Sequence, residues 1–244
     1  VHPSPSTLAP MLASGAQYVG ELVVRDISIP SSVDDPAWRV RLLQPRVLEN
    51  LPLRPIEAHK GDFGRVALLA GSQGLTGAAC LAVQAAARAG AGLVSLACPA
   101  GLNPILAVKL TEVMTRPLGQ PLDAWFTPAM LPEAMALCHA SDAVVLGPGL
   151  GTRPATAEFI TGLLSELNCP AVIDADGLNI LAECPCCFKA DGILTPQPGE
   201  IARLLNSTTK AIQADRLGAA VECARRFNQV TVLKGFRSLI AAPD

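Results

Sequence analysis

Long runs of basic charge are missing from this chain, and with them the usual footprint of a nucleic-acid-binding or anionic-membrane protein. Lysine and arginine together number 19 against 21 acidic residues, for a net charge of −2. Such a balance still suits a small phosphorylated ligand, which needs only a local site. Histidine is scarce: three residues stand far apart, so the histidine pairs that build zinc centres are not to hand. No secretory signal opens the chain. It begins at Val1 rather than Met, and the natural start is expected upstream. A membrane-spanning helix is missing too. The uncharged stretch between Arg88 and Lys109 is broken by Gly90, Gly92, Pro99, Gly101, Asn103 and Pro104 into a helix end, a strand and a loop.

Cysteine is the exception to this scarcity, with eight residues. Cys80, Cys98, Cys138, Cys169 and Cys223 lie in core-like segments, and Cys184, Cys186 and Cys187 cluster around Pro185. Without paired ligand motifs they read as small core residues and a loop cluster, so no metal ligand is assigned. A reducing, cytoplasmic compartment fits them best.

What is present in quantity is apolar sequence in short runs. Half of the 244 residues are hydrophobic, enough for one large α/β domain or a domain with an arm. Residues 1–15 read as an irregular arm and Tyr18 to Pro30 as holding one short strand. Residues 31–58 read as a linker with one helix near Pro45 to Asn50. From His59 the pattern turns regular. Strands are predicted at Arg65–Ala70, Leu93–Ala97, Ala143–Leu146, Ala171–Asp174, Gly192–Thr195, Val230–Leu233 and Leu239–Ala242. Helices are predicted at Ala78–Ala89, Pro128–Ala140, Pro154–Leu167, after Asp176, at Pro198–Leu205 and as one long amphipathic helix over Lys210–Phe227. Strands alternating with helices predict an α/β three-layer sandwich on a mainly parallel sheet. The strands are continuous apolar runs, as a sheet covered on both faces requires. The last strand stops at Asp244 with no helix behind it, so a fragment is expected.

Five loops follow strands and fall on one sheet edge: Gly71–Gly77, Gly147–Gly151, Asp174–Asn179, Thr195–Glu200 and Lys234–Ser238. Ligand crevices of α/β sheets form at that edge. Ala143 to Gly151, AVVLGPGLG, runs a strand into alternate glycines, which let a ligand approach the backbone. A plain structural turn is the competing reading. Gly74, Gly77 and the helix after them could present amides to an anion. The loop is neither a Walker A motif nor a G-x-G-x-x-G fingerprint, since its spacing is G-x-x-G-x-x-G. Asp174 and Asp176 flank Ala175; the pair suits Mg²⁺ through water or a substrate hydroxyl, and equally a helix cap and loop amides. Lys234 and Gly235 suit a phosphate, or a surface hairpin.

In order along the chain stand HKGDFGRVALLAGSQGLTGAA, GAGLVSLACP, VVLGPGLG, VIDADGLNIL, LTPQPGEIARLL and VLKGFRSLIAAPD. This set resembles the NAD(P)H-hydrate dehydratase family, the carboxyl-terminal half of YjeF-type proteins, over residues 45 to 244. The resemblance implies a ribokinase-like fold. It also implies ADP- or ATP-dependent, Mg²⁺-assisted dehydration of (S)-NAD(P)H hydrate: phosphorylation of the hydrate's hydroxyl, then loss of phosphate. It implies substrate contacts from Ala78, Gly149, Gly151 and Gln197, the last standing where the family has histidine. It implies nucleotide contacts from Lys234, Gly235, Phe236, Arg237 and Ser238, and a place near the nucleotide for Lys60, Gly61 and Asp62. Residues 1–30 resemble the tail of an epimerase domain, so the domain order implied is epimerase remnant, linker over 31–58, and dehydratase domain over 59–244. The family's GGTGD segment with its catalytic Asp is not among these residues, so no catalytic base is assigned and no turnover is expected of these 244 residues alone. A non-catalytic dinucleotide-binding module and a ribokinase-like small-molecule kinase are the alternatives. The expected partners are a dinucleotide and an adenine nucleotide, with no nucleic acid and no membrane; a homo-oligomer stays open.

Overall fold

The computed structural model describes residues 18, 20, 21, 23, 28, 40–43, 45–183, 188 and 190–244. The strand expected between Tyr18 and Pro30 and the Cys184–Cys187 cluster lie outside the described residues. The chain divides after Glu57. Before that boundary lies a short 3-10 helix, Pro45–Asn50, where the linker helix was expected.

The second unit, Ala58–Asp244, carries the whole sheet. Its strands are β1 (Arg65–Leu69), β2 (Leu93–Pro99), β3 (Met114–Leu118), β4 (Ala143–Leu146), β5 (Ala171–Ile173), β6 (Gly192–Leu194), β7 (Val230–Leu233) and β8 (Leu239–Ala241). They form one eight-stranded sheet in the order β3-β2-β1-β4-β5-β6-β7-β8. All pairings are parallel except the last, where β8 returns antiparallel to β7. The helices are α1 (Thr76–Ala89), α2 (Asn103–Lys109), α3 (Leu131–His139), α4 (Pro154–Glu166), α5 (Asp176–Glu183), α6 (Pro198–Leu204), α7 (Thr209–Ala214) and α8 (Arg216–Phe227).

Alternate residues of each strand face opposite sides, and the core divides accordingly. Leu68, Val94, Leu96 and Cys98 meet Ala79 and Val83 of α1 and Leu106 of α2. Leu69, Leu146, Ile173, Leu194 and Leu233 meet α3 to α8 on the other side, through Phe159, Leu178, Ile201 and Ala220 among others. Phe126 stacks on Phe159 with centroids 5.1 Å apart. Past β4 the first face is open among the described residues. Ile193 is 39% and Ile240 58% exposed, in register with half-buried Val172, Val230 and Val232.

Three local expectations change. The stretch after β2, read as loop, holds α2 and β3. Pro104 sits in the first turn of α2, where its missing N–H is not needed. Pro117 lies in an edge strand, where proline is tolerated. The helix expected over Pro128–Ala140 starts as a 3-10 turn, Pro128–Met130, before α3. The single helix expected over Lys210–Phe227 is two. Asp215 leaves helical geometry at φ −138°, ψ 76°, and its carboxylate caps α8 by accepting from the Gly218 N–H.

Candidate functional site

The strand order reverses between β1 and β4, which places the crevice of a doubly wound sheet between the loops that follow them. Those are the two glycine loops, and they touch. The Gly71 N–H donates to the Pro148 carbonyl at 2.9 Å. Gly149, at φ 68°, lies against the start of α1: a Cβ there would stand 2.9 Å from the Leu75 carbonyl oxygen and 3.0 Å from Ala78 Cβ. A side chain there would be strained by the left-handed backbone and would force the start of α1 to shift. Ala78, Gly149 and Gly151, separated by about 70 positions in sequence, are thereby one wall.

The remaining loops join this wall in turn. The Gly151 N–H donates to Asp176 Oδ2 at 2.9 Å, and Asn179 Nδ2 leans on Asp176 Oδ1 at 3.4 Å. Asp176 thus holds the second glycine loop from the start of α5. Asp174 does something else: its Oδ1 lies 2.5 Å from Lys234 Nζ, both side chains about one-third exposed. The Lys234 N–H donates to the Pro196 carbonyl at 2.8 Å, tying the loop after β7 to that after β6. All five loops named from the sequence therefore meet on the carboxyl edge.

Gln197 caps α6 and is exposed. Its N–H donates to Glu200 Oε2 at 2.7 Å. Its neighbour Pro196 connects it to the Lys234 loop rather than to the glycine wall. Phe236 is 69% exposed, and the Arg237 guanidinium lies 5.3 Å from its ring centroid. The Ser238 hydroxyl donates to the Gly235 carbonyl at 3.3 Å, closing the loop on itself.

Lys60, Gly61 and Asp62 are not part of this edge. They form a 3-10 turn at the amino-terminal ends of β1 and β2. The Gly92 N–H donates to the Phe63 carbonyl at 3.0 Å, and Leu93 to that of Gly64 at 3.0 Å. In a parallel sheet that end is opposite the loop after β7, so the expected place beside the nucleotide loop is corrected.

Three residues join the edge without a sequence signal. Trp125 lies beside Gly151, 4.0 Å from where a Cβ would be. Its ring carries the Arg153 guanidinium at 3.4 Å, a cation–π contact. Its neighbour Ala124 accepts from the Gln73 N–H at 3.0 Å. Arg216, at the start of α8, donates through Nη1 to the Phe236 carbonyl at 2.7 Å. Only Trp125's rarity, one of two tryptophans, marked any of them.

Among the described residues, four thiols are held in the protonated form by burial. Burial pushes Cys98 up to about 11 and Cys138 to about 12 from the ordinary 9.0, and raises Cys169 and Cys223 as well. Among the described residues, no three His, Cys, Asp or Glu side chains gather as a metal cage. Asp174 and Asp176 are both engaged, so a cation at this edge would depend on ligand oxygens.

A sheet wound both ways, with paired glycine loops at its reversal and a lysine loop on the same edge, defines a ribokinase-like α/β protein. Solved structures share the fold. A ribokinase-like superfamily protein from Enterococcus faecalis matches with TM-score 0.66 at 20% identity over 78% of this chain and 64% of its own. The ADP/ATP-dependent NAD(P)H-hydrate dehydratase from Bacillus subtilis, co-crystallised with ATP/Mg²⁺, matches with TM-score 0.66 at 30% identity, over 81% of this chain and 67% of its own. Residues 66–244 match the family model for NAD(P)H-hydrate dehydratase, and the chain belongs to that family. The bifunctional NAD(P)H-hydrate repair enzyme Nnr of Moorella thermoacetica is 44% identical over 94% of this chain and 44% of its own length. The ADP-dependent (S)-NAD(P)H-hydrate dehydratase of Neisseria meningitidis is 39% identical over 78% of this chain and 62% of its own. The chain spans about half the length of the curated relatives it matches.

Proposed function

We propose that this edge binds an NAD(P)H hydrate and an adenine nucleotide side by side, in service of ADP-dependent dehydration of the (S)-hydrate back to NAD(P)H. The observation that carries the reading is the contact of the two glycine loops through Gly71, Ala78 and Gly149, continued by the Asp174–Lys234 pair into the loop after β7. In this reading Ala78, Gly149, Gly151 and Gln197 contact the hydrated dinucleotide. Lys234, Gly235, Phe236, Arg237 and Ser238 contact the nucleotide, ADP or ATP. The glycine wall presents backbone at close range, and Lys234 and Arg237 supply positive charge for phosphates. When bound with the nucleotide, Mg²⁺ supplies further charge neutralisation for phosphoryl transfer to the hydrate's hydroxyl.

Asp174 is committed to Lys234, and Asp176 to Gly151 and Asn179. These residues therefore bind and orient, and neither carboxylate is assigned as the base. A reducing cytoplasm suits the five thiols that are free among the described cysteines. No helix among the described residues is long and apolar enough to cross a membrane. Residues 1–30 are read as the end of an epimerase domain, residues 31–58 as a linker and 59–244 as the dehydratase domain, in keeping with the bifunctional relative.

Calorimetric titration tests the binding reading. NADPH, as the unhydrated stand-in, and ADP with Mg²⁺ should each give heat with the native chain. Gly149→Trp should abolish the NADPH heat and keep that of ADP. NADPH binding unchanged in Gly149→Trp would remove the dinucleotide from this crevice. Nucleotide-dependent recovery of reduced nicotinamide from its hydrate, given by residues 1–244 alone, would overturn the expectation that these residues carry no turnover.

A further inference from the structure

Arg216 is badly placed for its own helix. It opens α8, where a cation faces the positive end of the helix dipole. Helix capping does not need it, because Asp215 already accepts from the Gly218 N–H at 2.9 Å. Its guanidinium turns instead to the loop after β7. Nη1 donates to the Phe236 carbonyl at 2.7 Å. Nη2 lies 2.9 Å from where a Cβ at residue 235 would stand, and Gly235 holds φ 143°. Nε and Nη2 are buried with no hydrogen-bond partner.

We propose that Arg216 is a positioning residue for the Lys234–Ser238 loop. It acts through the loop backbone and does not touch the ligand. Gly235 is the space the guanidinium fills, and the Phe236 carbonyl is the acceptor it holds. With two buried nitrogens already unpaired, losing Phe236 would leave the cation with none of its hydrogen bonds to this loop. Outward movement of the loop is thereby opposed, and the residues set to meet a nucleotide are held before it arrives. A lysine cannot replace it: a point charge can donate to one carbonyl, but it cannot lie flat against a glycine while doing so. The identity of the loop's ligand rests on the nucleotide reading above; the bracing does not.

Two measurements on the 244-residue chain separate those claims. Amide hydrogen exchange without ligand should be faster at residues 235–238 in Arg216→Met, and unchanged at 148–151, by about tenfold for one lost charge-assisted hydrogen bond. Titration with ADP and Mg²⁺ should then show about a tenfold weaker Kd, with NADPH affinity within about twofold of native. Arg216→Lys should recover only part of either effect. Unchanged exchange in Arg216→Met overturns the proposal, even if ADP binding falls, because Arg216 would then be a direct ligand contact. Absence of ADP binding by the native chain would sink the nucleotide reading and leave the exchange result to decide the brace. Should Arg216→Met fail to fold, Arg216→Lys carries the test, since it keeps one donor but not the planar fork. Exchange at residues 235–238 should still exceed the native rate, and a native pattern there overturns the proposal.

Discussion

Asp174 and Lys234 stand 60 positions apart and meet as an ion pair. Each was visible in the sequence as a strand-end residue, but not their pairing, since nothing local in a sequence records which charges meet. The pairing turns Asp174 from an open metal or hydroxyl ligand into the counterion of a phosphate-type lysine. Asp174→Asn should therefore tighten ADP binding measured without Mg²⁺, by the Coulomb attraction no longer shared, and Lys234→Met should weaken it. Weaker binding in Asp174→Asn would mean the carboxylate serves the ligand directly. The glycines were legible because spacing alone exposes them. Gly149→Ala is expected to cost about 1–2 kcal/mol from left-handed strain alone, read in chemical denaturation, with NADPH affinity falling alongside. The buried thiols give a pH prediction. The unfolded chain releases these protons near 9.0, whereas Cys98 holds its proton to about 11 and Cys138 to about 12. Above pH 9 the unfolded state thus binds fewer protons, and stability falls as pH rises from 9 toward 11. Cys98→Ala and Cys138→Ala should flatten that decline in a denaturation series; an equal slope would mean the thiols are not its source.

At the scale of elements, periodicity reports faces well and interruptions poorly. Lys210 to Phe227 keeps one apolar stripe through Ile212, Ala219, Ala220 and Cys223, so the pattern continues across a break. The signal for the break was Asp215 with Gly218 three residues on, a cap pattern easily passed over inside a longer stripe. Asp215→Ala should cost about 0.5–2 kcal/mol as a lost cap, and by moving the start of α8 it should also disturb Arg216. Greater exchange at residues 235–238 in Asp215→Ala would report that link; a purely local loss of stability would deny it. β3 and α2 escaped for a related reason: prolines at 104 and 117 look like breakers until one knows they occupy a helix start and a sheet edge.

For the whole molecule, the class was readable because βαβ units repeat, whereas the crevice was not a property of any unit. It arises where winding changes direction, between β1 and β4, and a linear pattern carries no strand order. The placement of Lys60–Asp62 failed for the same reason: nearness in a motif says nothing about which end of a parallel sheet a residue occupies. The glycine wall and the Lys234 loop stand on different strands of one sheet, joined through Asp174 and Asp176. Paired titrations should accordingly show coupling: ADP with Mg²⁺ present should change NADPH affinity, and NADPH should change ADP affinity by the same factor. Independent heats would mean two sites that merely share an edge.

Among the described residues, the strip of exposed Ile193 and Ile240 beside half-buried Val172 and Val232 sets how residues 1–244 fail on heating. Partly loosened molecules need no global unfolding to become adhesive, because aliphatic surface already faces water. Heating should then end in coagulation before any reversible midpoint, with an apparent melting temperature that climbs as the scan is run faster. Durability of this chain is a matter of elapsed time and concentration, a shelf life rather than an equilibrium constant. Ile193→Thr with Ile240→Thr should lengthen it while leaving affinities at the carboxyl edge as they were.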